Sequence, residues 1–227
     1  MIYVLTYNDV HRKTYDVLNL LKACGHKDVT VIALPYHYTK KQKPLINHRP
    51  QVYAAIPPDV LCKALDYKYE FIKSFAEITQ LLDKKPGPIL ICGAGIIPAE
   101  LIEKYLIINS HPGILPLVRG LDAFKWAIYE MQPIGVTTHI IDNEPDAGFL
   151  IDQKIIEVTW GDSFHSLAQK QYEMEIIMLV EALEKVKSIS RKRINTQGFP
   201  VHKRMSQDLE KQLFARFEEY KRKFATK

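Results

Sequence analysis

Residues 2–34 read IYVLTYNDVHRKTYDVLNLLKACGHKDVTVIAL, and the fold is decided there. The apolar run at 2–5 is strand-sized and gives way to Thr6-Tyr7-Asn8-Asp9. Val17, Leu18, Leu20, Leu21 and Ala23 then recur at helical spacing until Gly25. A second apolar run, 29–34, stops at Pro35. Strand, helix and strand joined in this way mark a parallel sheet with helical crossovers.

The same alternation continues outward. Residues 35–58 hold five prolines and read as a long irregular connection, a length often tied to function. A short helix is expected at 59–65, a strand at 69–72 and a helix at 75–83 before the turn Lys84-Lys85-Pro86-Gly87-Pro88. The continuous apolar run 89–92 reads as a buried strand, Pro98 opens a short helix through Lys104, and 106–108 is the next strand. A helix at 121–131, strands at 135–141 and 149–158, and a long helix at 163–186 capped by Asp162 or Ser163 follow. This order predicts an α/β fold: a Rossmann-like, mostly parallel sheet with helices on both faces. Two units are expected, a domain at 1–186 and a basic, mostly helical C-terminal extension at 187–227, in which a helix at 206–224 aligns Leu209, Leu213, Phe217 and Tyr220.

The chain has 227 residues, 47% hydrophobic and 25% charged, ordinary values for a soluble globular protein able to build its own core. No apolar stretch approaches the roughly 20 residues of a membrane span, and the N-terminus lacks the features of a signal peptide. A cytoplasmic protein without a membrane partner is expected. Cys24, Cys62 and Cys92 are far apart and suggest neither a disulfide framework nor a metal site. Thirteen Lys or Arg against five Asp or Glu in 184–227 make that stretch net +8 and the remainder net −3. A basic tail suits phosphates or nucleic acid. The interleaved acids of 206–227 also suit a solvated helical face, and they disfavour a nucleic-acid partner.

In open α/β sheets ligands bind beyond the C-terminal ends of the strands. Three polar loops follow strands directly, at 6–11, 109–113 and 142–148. Asn109 and His111 are two apart, so an extended chain aims them the same way. An Asn can donate to a developing oxyanion, a His can move protons near neutral pH, and a carboxylate such as Asp146 can orient that His. No Ser or Cys sits in a nucleophile elbow, so no covalent intermediate is expected. The residue types alone leave two readings open: acyl transfer without a protein nucleophile, or a His and an Asn that merely shape a turn beside an unrelated Asp.

The stretch INSHPGILPLVRG (108–120) resembles the hallmark of the folate-dependent formyltransferases, and GVTTHIIDNEPDAG (135–148) resembles their second signature. The resemblance covers roughly residues 1–185. It places Asn109, His111 and Asp146 on the family's catalytic positions and implies N10-formyltetrahydrofolate as formyl donor. It implies that the pterin lies against Cys92, Gly93, Ala94, Gly95, Ile96 and Ile97 on one side and Ile141, Asp142 and Glu144 on the other, with His139 nearby. The first of these segments lacks the aromatic and the Arg common in the family.

For the acceptor, the loop after the first strand has no glycine to cradle a monophosphate. Asn8, His11, Arg12 and Lys73 are the expected contacts to a sugar or pyrophosphate, with Tyr36, His37, Tyr38, Lys40 and Lys41 covering a nucleotide. Some 40 residues follow the long helix, whereas the tRNA-acting branch carries a β-barrel there. The expected acceptor is therefore a dTDP- or UDP-linked amino-deoxysugar formylated at its free amine, with glycinamide ribonucleotide or methionyl-tRNA as the alternatives. A non-catalytic folate- or nucleotide-binding module is a further alternative, and a homodimer is compatible with all of these.

Overall fold

Strands β1 (Ile2–Tyr7), β2 (Val29–Leu34), β3 (Lys68–Phe71), β4 (Ile89–Ile91) and β5 (Ile107–His111) lie side by side in the order β3-β2-β1-β4-β5, all parallel. The two-residue strand β6 (Arg119–Gly120) stands apart from them. Strands β7 (Gly135–Ile140) and β8 (Phe149–Ile155) complete the seven-stranded sheet, each antiparallel to its neighbour. The architecture is that of a computed structural model, which describes residues 1–36, 43–50 and 56–226. His37, Tyr38, Lys40 and Lys41 lie outside those residues.

Side chains alternate across a strand, so each strand feeds two cores. Val4, Val31, Leu90 and Ile108 face one way, against Leu18 and Leu21 of α1 (Arg12–Ala23), Leu61 of α2 (Pro58–Leu65) and the long helix Phe164–Lys185. Tyr3, Leu5, Ile32, Leu34, Ile89 and Ile107 face the other way, against α3 (Ile78–Leu82) and α4 (Ala99–Lys104). A third cluster joins α5 (Ala123–Tyr129) to the N-terminal half of that long helix, α6, through Phe124, Ala127, Phe164 and Leu167. Ser163 is the cap of α6, its Oγ accepting from the Ser166 N–H, while Asp162 instead accepts from Thr159 and Lys170.

The C-terminal stretch is woven into this frame. Strand β9 (Val158–Thr159) is covered by β11 (Ala225–Thr226), and β10 (Val201–His202) pairs with β6. Helices α7 (Gln207–Glu210) and α8 (Leu213–Phe224) form where the periodicity predicts one helix. Leu213, Phe217 and Tyr220 are buried in the third cluster. Among the described residues no helix is long and apolar enough to cross a membrane.

Several boundaries differ from the sequence expectation. The helix at 75–83 begins as a 3-10 turn, Phe75–Glu77, because Ser74 and Glu77 close a capping box there. The expected helix at 121–131 shrinks to α5, since Asp122 adopts a left-handed conformation, φ 53°, before it. Strand β5 does not stop at Ile108 but runs on through His111, held by antiparallel pairing with β7.

Candidate active site

That longer β5 is what aims the polar pair. Asn109 and His111 share one face of the strand, opposite His139 and Thr137 of β7, while Ser110 turns away and donates from Oγ to the Glu175 carbonyl of α6. His139 Nδ1 lies 2.6 Å from the Ala147 carbonyl, so Nδ1 carries the proton and Nε2 is bare. Nε2 then accepts from Asn109 Nδ2 at 3.3 Å. Burial pushes the His139 pKa down to about 4, consistent with a neutral ring. Asn109 is thereby oriented, with one amide hydrogen committed and no partner for the other among the described residues.

His111 is arranged in the opposite sense. Its Nε2 sits 2.9 Å from the Val118 carbonyl and its Nδ1 3.2 Å from Asp146 Oδ1. Both neighbours are acceptors, an arrangement that favours a proton on each nitrogen and so the imidazolium form of the ring. Burial opposes that charge, but the Asp146 carboxylate outweighs it and the pKa is raised. Burial likewise opposes the charge on Asp146, and His111 together with the Gly120 N–H holds its carboxyl well below the usual range.

Asp146 itself is at φ 47°, in the left-handed region that non-glycine residues seldom occupy. Gly148, two residues on, is at φ 88°, where an added Cβ would lie 2.1 Å from the Ile140 carbonyl. Two neighbours fasten this turn. Gly120 N donates to Asp146 Oδ2 at 2.7 Å, and the buried Arg119 donates from Nη2 to Glu144 and to the Pro145 carbonyl. Arg119 also donates from Nη1 to the Phe199 carbonyl, and so ties the turn to the C-terminal stretch.

A cavity of about 1010 Å³ opens on these groups. Asn109, His111, His139 and Asp146 line it, as do Ala94, Gly95, Ile96, Ile97, Ile141, Asp142 and Glu144. Ligand pockets commonly run from about 300 to 1,000 Å³, so this one has room for a donor and part of an acceptor together. Ile91, Ile97, Ile102 and Ile141 supply apolar wall, Ile96 is 96% exposed at the surface, and nothing lies within 4 Å of a Cβ built on Gly95. An apolar slot bordered by open backbone fits a flat heterocycle such as a pterin. Cys92 and Gly93 are not among the described lining residues. Cys92 is buried, and Gly93 lets Tyr7 pack against the main chain, since a Cβ would meet that ring at 2.8 Å.

The expected acceptor contacts do not border this cavity. Asn8 Oδ1 accepts from Tyr69, His11 Nδ1 faces Thr14 Oγ1, and Arg12 Nε donates to Asp16. Lys73 is exposed ahead of the 3-10 turn. In their place the cavity is walled by Pro44, Ile46, His48 and Arg49, by Leu121 and Lys125, and by 201–204 of the C-terminal stretch. Sequence reasoning also passed over Glu175, whose buried carboxylate binds Lys13 at 2.8 Å and Arg49 at 2.6 Å. Burial resists its charge, but the two cations hold its pKa down at about 2. One signal was present: a Glu between Tyr172, Ile176 and Leu179, on the buried face of a helix, needs a cationic partner.

The chain is 30% identical over 155 residues to a methionyl-tRNA formyltransferase from Fusobacterium nucleatum, covering 66% of this chain and 50% of that protein. It spans 33% to 58% of the length of the methionyl-tRNA formyltransferases it matches. Its fold superimposes on a sugar N-formyltransferase from Shewanella with a TM-score of 0.60 at 19% identity, covering 89% of this chain and 76% of the other. A phosphoribosylglycinamide formyltransferase from Anaplasma phagocytophilum gives a TM-score of 0.62 at 16% identity, covering 88% and 97%. Residues 16–183 match the family described as formyl transferase, which is most of the chain and contains Asn109, His111 and Asp146, and the chain therefore belongs to the formyl transferase family.

Proposed function

We propose that this protein transfers the formyl group of N10-formyltetrahydrofolate to the free amine of a nucleotide-linked amino-deoxysugar, dTDP or UDP, with Asn109, His111 and Asp146 as the catalytic residues. The observation that carries formyl transfer is the convergence of an oriented amide donor and a buried imidazolium on one apolar-walled cavity. The folate supplies an activated one-carbon acyl group, and Ala94, Gly95, Ile96, Ile97, Ile141, Asp142 and Glu144 would hold it.

The chain's own contributions follow from the hydrogen bonds. Asn109 Nδ2 offers its open hydrogen to an acyl oxygen that gains negative charge, at no cost of reorientation because His139 already fixes it. His111 contributes a positive charge beside that oxygen, and both its N–H groups are committed elsewhere while it does so. Asp146 keeps His111 charged and in place. The attacking amine has to arrive neutral. As its nitrogen bonds to the formyl carbon, the bond from that carbon to the folate N10 breaks, and the proton the amine loses balances the charge left on N10.

A nucleotide sugar as acceptor is supported by the glycine-free first loop and by the sugar N-formyltransferases among the proteins of like fold. Formylation of methionyl-tRNA is the second reading, favoured by the names of the sequence relatives and by the basic C-terminal stretch. Competition between UDP- and dTDP-linked amino sugars, glycinamide ribonucleotide and methionyl-tRNA for one folate donor decides between them. Product from the nucleotide sugars supports the proposal, and product from the tRNA or the ribonucleotide alone overturns the acceptor assignment.

A further inference from the structure

Residues 199–205 cross the cavity wall as a strap whose main chain is fixed, while its two cations are held loosely or not at all. β10 pairs with β6, and Leu121 N donates to the His202 carbonyl at 2.9 Å. His202 lies against Trp126, ring centroids 4.6 Å apart, and its nitrogens face the Arg119 carbonyl and Glu130. Trp126 Nε1 donates to the Lys203 carbonyl, and Met205 N donates to Asp122. Gly120, φ 91°, lets the strap approach this closely, since a Cβ there would sit 2.2 Å from the His202 carbonyl. The backbone is thus held on both sides of Lys203 and Arg204, and both line the cavity.

We propose that Lys203 and Arg204 form an anion-binding subsite of this cavity, taking a phosphate or carboxylate group of one of the two substrates. The charge balance favours an anion. Among the carboxylates that line the cavity, Asp142 is paired with Arg193, Glu144 with Arg119, Asp146 with His111 and Asp122 with Arg204. Among the described residues no carboxylate pairs with Lys203, and Arg204 reaches Asp122 only at 3.6 Å. Lys13 and Arg49 share the single carboxylate of Glu175, which leaves a further positive charge in surplus at the wall. A cleft lined with surplus charge of one sign concentrates ligands of the other. The ammonium of Lys203 and the planar fork of Arg204 suit the oxygens of a phosphate or a carboxylate alike. The nucleotide diphosphate of an acceptor and the glutamyl carboxylates of the donor share that chemistry.

The subsite rests on the cavity being the place of formyl transfer, but its test needs no turnover. Binding of UDP, and of 5-formyltetrahydrofolate carrying one or three glutamates, is measured by calorimetry on the full chain. The variants are Lys203→Ala, Arg204→Ala and the double substitution, with Lys203→Arg as the charge-keeping control. Lys192→Ala removes a tail charge from outside the cavity lining. Only the Lys203 carbonyl holds Trp126, so Lys203→Ala keeps the strap, and an unchanged melting temperature verifies it. The double variant is expected to weaken one probe about tenfold or more and to flatten its salt dependence, with Lys203→Arg near wild type and Lys192→Ala unchanged. Loss confined to UDP assigns the subsite to the acceptor, and loss confined to the triglutamate assigns it to the donor. Wild-type affinity of the double variant for both probes overturns the proposal and leaves the catalytic reading untouched, whereas an inactive site with intact anion binding strikes only that reading.

Discussion

Asn109 and His111 stand two residues apart and are held in opposite ways, one by a neutral ring and the other by a carboxylate. Removing a preorganised donor of this kind costs about 10²–10³ in turnover. Asn109→Ala and His111→Ala are each expected to fall in that range in steady-state assays with an authentic acceptor. Near-native turnover of His111→Ala would sink the assignment. Asp146→Asn is the sharper change, because Asn tolerates the left-handed backbone at φ 47° and can still accept from Gly120. Without the carboxylate only the Val118 carbonyl and Glu175 still favour the charged ring against burial, so the His111 pKa should fall in an NMR titration. An unshifted His111 resonance would refute the pairing. The same pair sets a pH dependence of stability. The raised pKa of His111 gives a contribution complete below pH 6.5 and lost as pH climbs through the raised value. The depressed pKa of Asp146 gives one present above pH 3.8 and lost as pH falls towards the lowered value. Both are whole between pH 3.8 and 6.5, so the melting-temperature gap between wild type and Asp146→Asn should be widest there.

The elements that hold these residues differ in how legible they were. Strands β1, β2 and β4 and the start of β5 announce themselves as apolar runs, since both faces of the sheet are covered there, whereas the edge strand β3 is largely exposed. That Asn109, His111 and Asp146 meet was legible because the first two stand two apart on one strand and the third sits in a Pro–Gly-bounded loop. What holds these three residues was not, because each support is a long-range contact with no local signature. Arg119 and Gly120 were in plain view within 108–120, yet their partners, Phe199 and His202, lie some 80 residues away. The expected acceptor contacts lie away from the cavity for a related reason. Polar residues after β1 pointed to a ligand, but Asn8, His11 and Arg12 are engaged by Tyr69, Thr14 and Asp16. Gly120→Ala tests the strap as an element. The new Cβ collides with backbone, and the positive φ strains it further, so a loss of about 3 kcal/mol in urea denaturation is expected, in the upper part of the range for point substitutions. Turnover should fall as well, because the Gly120 N–H that holds Asp146 moves with the strap. Full stability in this variant would show that the strap yields easily.

Across the whole molecule the question is whether residues 187–227 form a separate unit. Their apolar face is not spare surface. Leu213, Phe217 and Tyr220 are buried against Phe124, Val136 and Phe164, and Tyr220 OH accepts from Ile134 N and donates to the Gln132 carbonyl. Glu210, fully buried, binds the equally buried Lys125 of α5 and the Leu45 N–H. The third core cluster is therefore built jointly by the two halves of the sequence, and an isolated 1–186 fragment would expose Phe124 and Phe164 and leave Lys125 buried without its carboxylate. Two consequences can be measured. Phe217→Ala should cost about 3–5 kcal/mol, the usual penalty for emptying an aromatic core position. Glu210→Ala should cost a similar 3–5 kcal/mol or so, whereas Lys125→Met with Glu210→Met recovers most of it, because an apolar pair of like volume replaces a buried ion pair at little loss. In both single variants, fluorescence of Trp126, beside the strap, and far-UV dichroism should report one shared transition, as a single cooperative unit requires. If instead Trp126 reports an early transition while the sheet signal persists unchanged to the wild-type midpoint, the C-terminal stretch unfolds independently and the division at residue 186 describes the protein better than a joint core does.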